Sequence, residues 1–77
     1  MVALVPIHQL PAGTVGRVRE VAGHAGEVQR LAELGWRRGQ RVEVVRSGAP
    51  CIVRLRAGRY CFRQTDSFQV WVAPEAD

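Results

Sequence analysis

The chain has 77 residues, the length of one domain, because a second hydrophobic core would not fit within it. Hydrophobic residues make up 47% of the sequence and charged residues 23%, values that are ordinary for a globular domain and exclude intrinsic disorder. All eleven basic residues are arginine and seven residues are acidic, so the net charge of +4 fits either a nucleic-acid partner or a biased composition.

The sequence also predicts the number of domains and the cellular location of the protein. The apolar stretches are only a few residues long, which excludes a helix that crosses a bilayer. The first ten residues lack a basic start and a long apolar segment, which argues against a secretory signal. We therefore expect a cytoplasmic protein with reduced thiols and no membrane insertion. We expect one domain over residues 1–77, with its core over about 10–72 and a frayed tail over 74–77.

Frequent glycine and proline residues divide the chain into pieces of about 5–9 residues, many of them rich in β-branched and aromatic side chains, which is typical of short strands. The first strand is expected over residues 15–21. Its valines are three residues apart instead of two, so we expect a β-bulge near Gly16 to restore the alternation of faces.

A helical spacing of apolar residues follows the first strand. Val28, Leu31 and Leu34 repeat at intervals of three, and Glu27 lies where the helix dipole favours an anion. Gly35 comes directly after the pattern, as a residue that ends helices. The sequence therefore predicts one short helix over about 26–35, with Trp36 plugging one end of the fold.

Three more strands are expected. The first covers residues 41–46, and the next two form a hairpin over 51–56 and 59–64 with Ala57 and Gly58 as its two-residue turn. That register places Arg56 opposite Arg59. One face of the hairpin, expected in the core, carries Cys51, Val53, Leu55, Tyr60 and Phe62. The other, expected in solvent, carries Ile52, Arg54, Arg56, Arg59, Cys61 and Arg63.

The last strand is expected over residues 68–72, after a turn at residues 65–67. Trp71 alternates with two valines and so is expected to face outward. About five short strands around one helix predict a mainly β fold, in the form of a small closed or half-open barrel.

The order of these elements resembles the FeoA family, the small ferrous iron transport protein A. The resemblance rests on Leu10-Pro-Ala-Gly13, Gly16-Arg-Val18, Arg30-Leu31-x-x-Leu34-Gly35 with Gly39 four residues later, Val42-x-Val44, Gly48-x-Pro50 and Val70-x-Val72. It implies an SH3-like barrel in which Leu31, Leu34, Gly35 and Gly39 form a structural motif, with both leucines covering one opening. It also implies an accessory role in bacterial ferrous iron uptake, through the cytoplasmic domain of the permease FeoB.

The sequence gives little support to an enzymatic or a metal-binding function. The sequence lacks the spacing of a catalytic nucleophile with its base and orienting group, and it also lacks a pair of carboxylates at a catalytic spacing. We therefore expect that the protein is not an enzyme and has no cofactor. The soft metal ligands are His8, His24, Cys51 and Cys61, and their spacing matches no zinc motif. The two cysteines are expected on opposite faces, which argues against a shared metal and a disulfide.

Partner binding is the remaining class of function. The outward Arg54, Arg56, Arg59 and Arg63 would suit an acidic protein surface or the phosphates of RNA or DNA, and a solvated face is the alternative. Trp71 would anchor a partner or pack against the N-terminal segment, and Leu31 would dock a partner or cap the barrel. FeoB is the expected partner, and nucleic acid is the alternative.

Overall fold

The computed structural model describes residues 3–48, 50–63 and 68–75. Within them, six strands and one α-helix follow in chain order, together with a short 3-10 helix. Their bounds are β1 Val5–Pro6, the 3-10 helix Ile7–Gln9, β2 Val15–Ala22, α1 Ala25–Glu33, β3 Arg41–Arg46, β4 Cys51–Leu55, β5 Gly58–Phe62 and β6 Gln69–Pro74. No helix in these residues is long and apolar enough to span a membrane.

The strands form one antiparallel sheet in the order β1-β6-β2-β3-β4-β5, curled around a single core. The expected mainly β fold, a small SH3-like barrel with one short helix, is confirmed. The sheet has one strand more than the five expected, because β1 is only two residues long and forms through its pairing with β6. Two residues are too few to leave a periodic pattern in a sequence.

Strand β2 contains the expected bulge, but at a different residue. The pairing with β6 shifts between Val18 and Glu20, so the extra residue is Arg19 and not a residue near Gly16. Gly16 is instead a point of close approach. A Cβ atom on Gly16 would lie 2.6 Å from Cγ1 of Val72, closer than side chains approach one another. Any larger residue there would force β2 and β6 apart.

Helix α1 begins at Ala25, slightly before the expected start, and ends at Glu33. The N–H of Trp36 donates to the Leu31 carbonyl oxygen at 2.9 Å, and the N–H of Gly35 donates to Ala32 at 3.1 Å. This pair of bonds is a Schellman motif, which requires positive φ at Gly35, observed at +106°. Trp36 and Leu31 are both buried and supply its hydrophobic contact.

Aromatic rings close the core beside the end of α1. Trp36 is 2% exposed, and its ring centroid lies 4.9 Å from Phe62 and 5.7 Å from Tyr60, both edge to face. Phe62 in turn packs against Phe68 at 5.3 Å. These contacts connect the helix end with β5 and with the start of β6. Trp36 is therefore buried in the core, as expected of a residue that plugs one end of the barrel.

The β4–β5 hairpin has a different register from the expected one. Leu55 pairs with Gly58, so the turn consists of Arg56 and Ala57 rather than Ala57 and Gly58. The expected turn would have required a positive φ at Ala57, whereas in the structure only glycines among the described residues have positive φ, Gly58 at +151°. Because the slip is two residues, each side chain keeps its expected face.

The C-terminal end of the described chain is paired. Pro74 is the last residue of β6, and the N–H of Glu75 donates to the Val15 carbonyl oxygen at 2.8 Å. Glu75 also forms an ion pair with Arg17 at 3.0 Å. The frayed tail expected over residues 74–77 is therefore wrong for Pro74 and Glu75. Residues 76–77 and the turn expected at residues 65–67 lie outside the described residues.

Candidate partner-binding surface

The four arginines expected on one face of the hairpin, Arg54, Arg56, Arg59 and Arg63, are all exposed, and we call them the arginine face. Arg54 and Arg59 are direct cross-strand neighbours on β4 and β5. The sequence had placed Arg56 opposite Arg59, which is wrong because Arg56 lies in the turn. The like-charge contact across the hairpin is therefore between Arg54 and Arg59, inside the sheet.

An acidic residue on the adjacent strand balances part of this charge. Glu43 of β3 pairs in register with Arg54 of β4, and the Arg54 guanidinium donates a hydrogen bond to the Glu43 carboxylate. The hydrogen bond and the charge of Arg54 lower the pKa of Glu43, and Arg41 adds to the effect. Glu43, Arg54 and Arg59 thus occupy paired positions on three neighbouring strands, and the Glu43 carboxylate pairs with the guanidinium of Arg54.

Two other arginines of this face, Arg56 and Arg59, are not balanced in this way. No acidic residue occurs between Glu43 and Asp66, while that stretch contains five arginines: Arg46, Arg54, Arg56, Arg59 and Arg63. Among the described residues, the side chains of Arg56 and Arg59 form no hydrogen bond or ion pair. An anionic partner would therefore find guanidinium groups that need not leave another carboxylate.

Trp71 lies away from the arginine face. It is half-buried on β6, between the valines of the core, and its cross-strand neighbours are Pro6 on β1 and Glu20 on β2. The arrangement supports packing against the N-terminal segment, one of the two roles expected for it. In the strand order of the sheet, three strands separate β6, which carries Trp71, from β5.

Leu31 of α1 and Leu34, the C-cap residue that directly follows the helix, have opposite environments. Leu31 is 8% exposed and belongs to the core, so little of its side chain is accessible to a partner. Leu34 is 42% exposed, so its expected role in covering the barrel opening is wrong. The capping position turns its side chain away from the core, while its carbonyl oxygen accepts a 2.8 Å hydrogen bond from the Tyr60 hydroxyl.

Gly35 and Gly39, the glycines of the structural motif, both have positive φ. Gly39 lies in the turn that leads into β3, with φ of +90°, and its N–H donates to the Val18 carbonyl oxygen at 2.7 Å. The glycine pattern in the sequence therefore marks two real requirements of the backbone, the end of α1 and the turn that returns the chain to β2.

The cysteines and histidines of the described residues belong to no cluster that could hold a metal ion. Cys51 is fully buried, and its thiol lies 3.9 Å from the Ile7 carbonyl oxygen, whereas Cys61 is exposed on β5. Burial raises the pKa of the Cys51 thiol, and the proximity of Cys61 raises it further. Within residues 3–48, 50–63 and 68–75, no three His, Cys, Asp or Glu side chains form a group that could hold a metal ion.

A cleft of about 260 Å³ lies beside the 3-10 helix and the start of β6. Apolar core side chains make up much of its wall, and the described residues that line it include no carboxylate and no thiol. Its lining residues are Ile7, His8, Gly48, Phe62, Arg63, Phe68, Gln69 and Val70.

Sequence reasoning missed two features of this surface. One is the position of Glu43 beside Arg54, for which the signal was present: β3 and β4 are consecutive strands, and an acid and an arginine alternate outward on them. The other is an irregularity in the strand pairing at Val45, a residue that is 37% exposed. The pairing of β3 with β4 shifts between Val44 and Arg46, so Val45 lies at an irregularity that no sequence pattern reveals.

A family model described as the FeoA domain matches residues 5–74. The chain belongs to the FeoA family. This family is linked to ferrous iron uptake. The described barrel corresponds closely to the matched region, which includes all six strands and α1.

Two solved FeoA structures have the same fold. A crystal structure of the iron uptake regulatory protein FeoA has a TM-score of 0.81 at 23% identity, over 95% of this chain and 100% of that one. The solution NMR structure of FeoA from Chlorobium tepidum has a TM-score of 0.80 at 27% identity, over 94% of this chain and 71% of that one. No curated protein matches the chain in sequence.

Proposed function

We propose that this FeoA-family protein is a non-enzymatic accessory factor of ferrous iron uptake that binds the cytoplasmic domain of the permease FeoB and modulates it. The observation that carries the proposal is the arginine face on a barrel of this family. Five arginines and no acid between Glu43 and Asp66 offer an anionic protein surface a patch of one charge sign. The protein acts in the cytoplasm, where that domain lies, without entering the membrane.

The mechanism is a shift of conformational populations. Binding to one conformation of the permease domain favours that conformation by the difference between the two binding affinities. Such a factor needs no catalytic group of its own. It also needs no iron site, and we propose that the protein binds neither ferrous iron nor another cofactor.

Nucleic acid is the second candidate partner, and the same arginine face favours it. Proteins that bind single strands combine a basic groove with aromatic side chains on which bases stack. Here Tyr60 and Phe62 pack toward the core, and Trp71 lies three strands away from β5. The geometry therefore favours an acidic protein over RNA or DNA.

Binding at two salt concentrations separates the two candidates. We expect saturable binding of the purified protein to the cytoplasmic domain of FeoB at about 50 mM salt that persists at about 200 mM. Nucleic-acid binding through six or more phosphates would instead fall by about a thousandfold or more over that range. Duplex and single-stranded oligonucleotides serve as controls, and binding to these alone would contradict the proposal.

A further inference from the structure

Strand β5 is an open edge of the sheet. In the strand order, β1 and β5 lie at the two ends. The β1 edge is blunted, because it is two residues long and one of them is Pro6, which has no N–H to offer. The β5 edge is five residues long and contains no proline. It is the edge with more backbone available to a further strand.

The hairpin geometry shows which backbone groups that edge offers. Leu55 and Gly58 close a two-residue turn, so they exchange both backbone hydrogen bonds. Such pairs alternate along an antiparallel ladder, so the N–H and C=O groups of Arg59 and Cys61 point away from β4. Among the described residues, no backbone hydrogen bond outside the sheet involves either residue. Within the part of the chain that the structure describes, these groups are open to another strand.

The side chains around this edge have one sign of charge. Arg59 and Cys61 face outward and are exposed, and Arg54 lies next to Arg59 on the neighbouring strand. A second copy of the chain is a poor occupant. Antiparallel pairing centred on Cys61 would set Arg59 of each copy opposite Arg63 of the other, and like charges directly opposite are destabilising.

We propose that the outer edge of β5 docks an extended acidic segment of a partner protein, which joins the sheet as a further strand. The backbone groups of Arg59 and Cys61 would supply main-chain hydrogen bonds, and Arg59 would bind carboxylates on alternate residues of the incoming strand. The inference rests on the proposed function, because the acidic segment is taken to belong to the permease domain. It adds the binding face and the chemistry of the bound segment.

The same edge is less suited to nucleic acid. A strand of peptide offers N–H and C=O groups in alternation, which match those of Arg59 and Cys61, whereas a phosphodiester chain offers only acceptors. No aromatic side chain of β5 faces outward to stack a base, since Tyr60 and Phe62 pack toward the core. The open backbone is thus the feature that selects a protein partner.

The experiment removes one outward N–H while keeping the hairpin. In Cys61→Pro the lost N–H is one that β4 does not use, so proline is tolerated as at other sheet edges. Cys61→Ser changes the same side chain and keeps the N–H. Arg59→Gln removes the edge charge, and Arg38→Gln removes an exposed charge from the turn before β3. Each variant is titrated against the purified permease domain, and its thermal unfolding is recorded.

We expect Cys61→Pro to weaken binding about tenfold and Arg59→Gln about three- to tenfold, with Cys61→Ser and Arg38→Gln close to the parent protein. In the complex of the parent protein, hydrogen exchange at the Arg59 and Cys61 amides should slow, because both become bonded. Hydrogen exchange at these two amides is measured on the parent protein. The test therefore remains decisive even if the Cys61→Pro variant is unstable.

The alternative outcomes separate the two proposals. If the parent protein binds the permease domain but the Arg59 and Cys61 amides exchange as in the free protein, the β5 inference is wrong while the proposed function stands. If it does not bind the domain at all, both proposals are wrong. If a single-stranded oligonucleotide binds and slows those two amides instead, the edge is a nucleic-acid site and the inference is overturned.

Discussion

At the scale of single residues, the two cysteines show how far position decides chemistry. Cys51 and Cys61 lie on paired strands ten residues apart, yet one side chain is fully buried and the other is exposed. The thiolate is the reactive form of cysteine, and burial disfavours it. Because burial raises the pKa of the Cys51 thiol, that residue behaves as a small apolar side chain of the core.

This difference predicts the thiol reactivity of the folded protein. We expect one thiol per chain to react with a disulfide reagent at pH 8 in native buffer, and two in denaturant. Cys61→Ser should abolish the native reaction and leave the reaction of the unfolded chain. Rapid modification of two thiols in native buffer would show that Cys51 is accessible and would contradict the buried position.

At the scale of elements, strands β3, β4 and β5 are held in register by their inward side chains, while their outward side chains set the charge. The Glu43–Arg54 pair lies on the exposed surface, where ion pairs contribute little to stability. The pair has a more specific effect on the titration of the Glu43 carboxyl group. The carboxylate is held in the charged form by Arg54, so the pKa of Glu43 lies below its ordinary value of 4.5.

The lowered pKa of Glu43 has a defined consequence for stability. A group whose pKa is lower in the folded state stabilises the fold above its unfolded pKa, and this contribution is lost as the pH falls through the folded pKa. We expect Glu43→Gln to lower the Tm slightly at pH 7, and the difference from the parent protein to shrink as the pH falls below 4.5 and through the lower pKa of the folded state. Thermal melts of both proteins at several pH values measure this difference in Tm. A difference that grows toward low pH would contradict the assignment, and Glu33→Gln, also on an exposed glutamate, is the control.

At the scale of the whole molecule, the N-terminal segment completes the barrel. Ile7 is 3% exposed, and its carbonyl oxygen faces the thiol of Cys51 on β4, while β1 pairs with β6. The segment before β2 thus contacts both halves of the sheet. A domain of this size has a small core, so the loss of one buried side chain removes a large share of its stability.

The role of this segment predicts the effect of truncating one side chain. We expect Ile7→Ala to reduce the free energy of unfolding by about 2–4 kcal/mol, through lost burial and the cavity left behind. Leu4→Ala, at a residue that is 42% exposed, should change it by less than about 0.5 kcal/mol. Urea unfolding followed by the fluorescence of buried Trp36 measures both. Equal effects would show that the segment does not complete the core.

The candidate surface was only partly predictable. The outward face of Arg54, Arg56, Arg59 and Arg63 follows from alternation along two strands, which survives a register slip of two residues. The neighbour of Arg54 does not follow from that alternation, since it depends on which strands pair and on the turn. The structure replaces the expected Arg56–Arg59 contact with the row of Glu43, Arg54 and Arg59. It also shows β5 as an open edge, a property of the sheet as a whole.

The sequence by itself determined the features that depend on local periodicity and backbone freedom. These are the mainly β class, the single helix ended by Gly35, the turn at Gly39 and the inward or outward face of each hairpin residue. Tertiary structure alone decided the bulge at Arg19, the strand β1, the exposure of Leu34 and the pairing of Glu43 with Arg54. The physical reason is that burial, register and strand order arise from contacts between residues far apart in the chain, which no local pattern encodes.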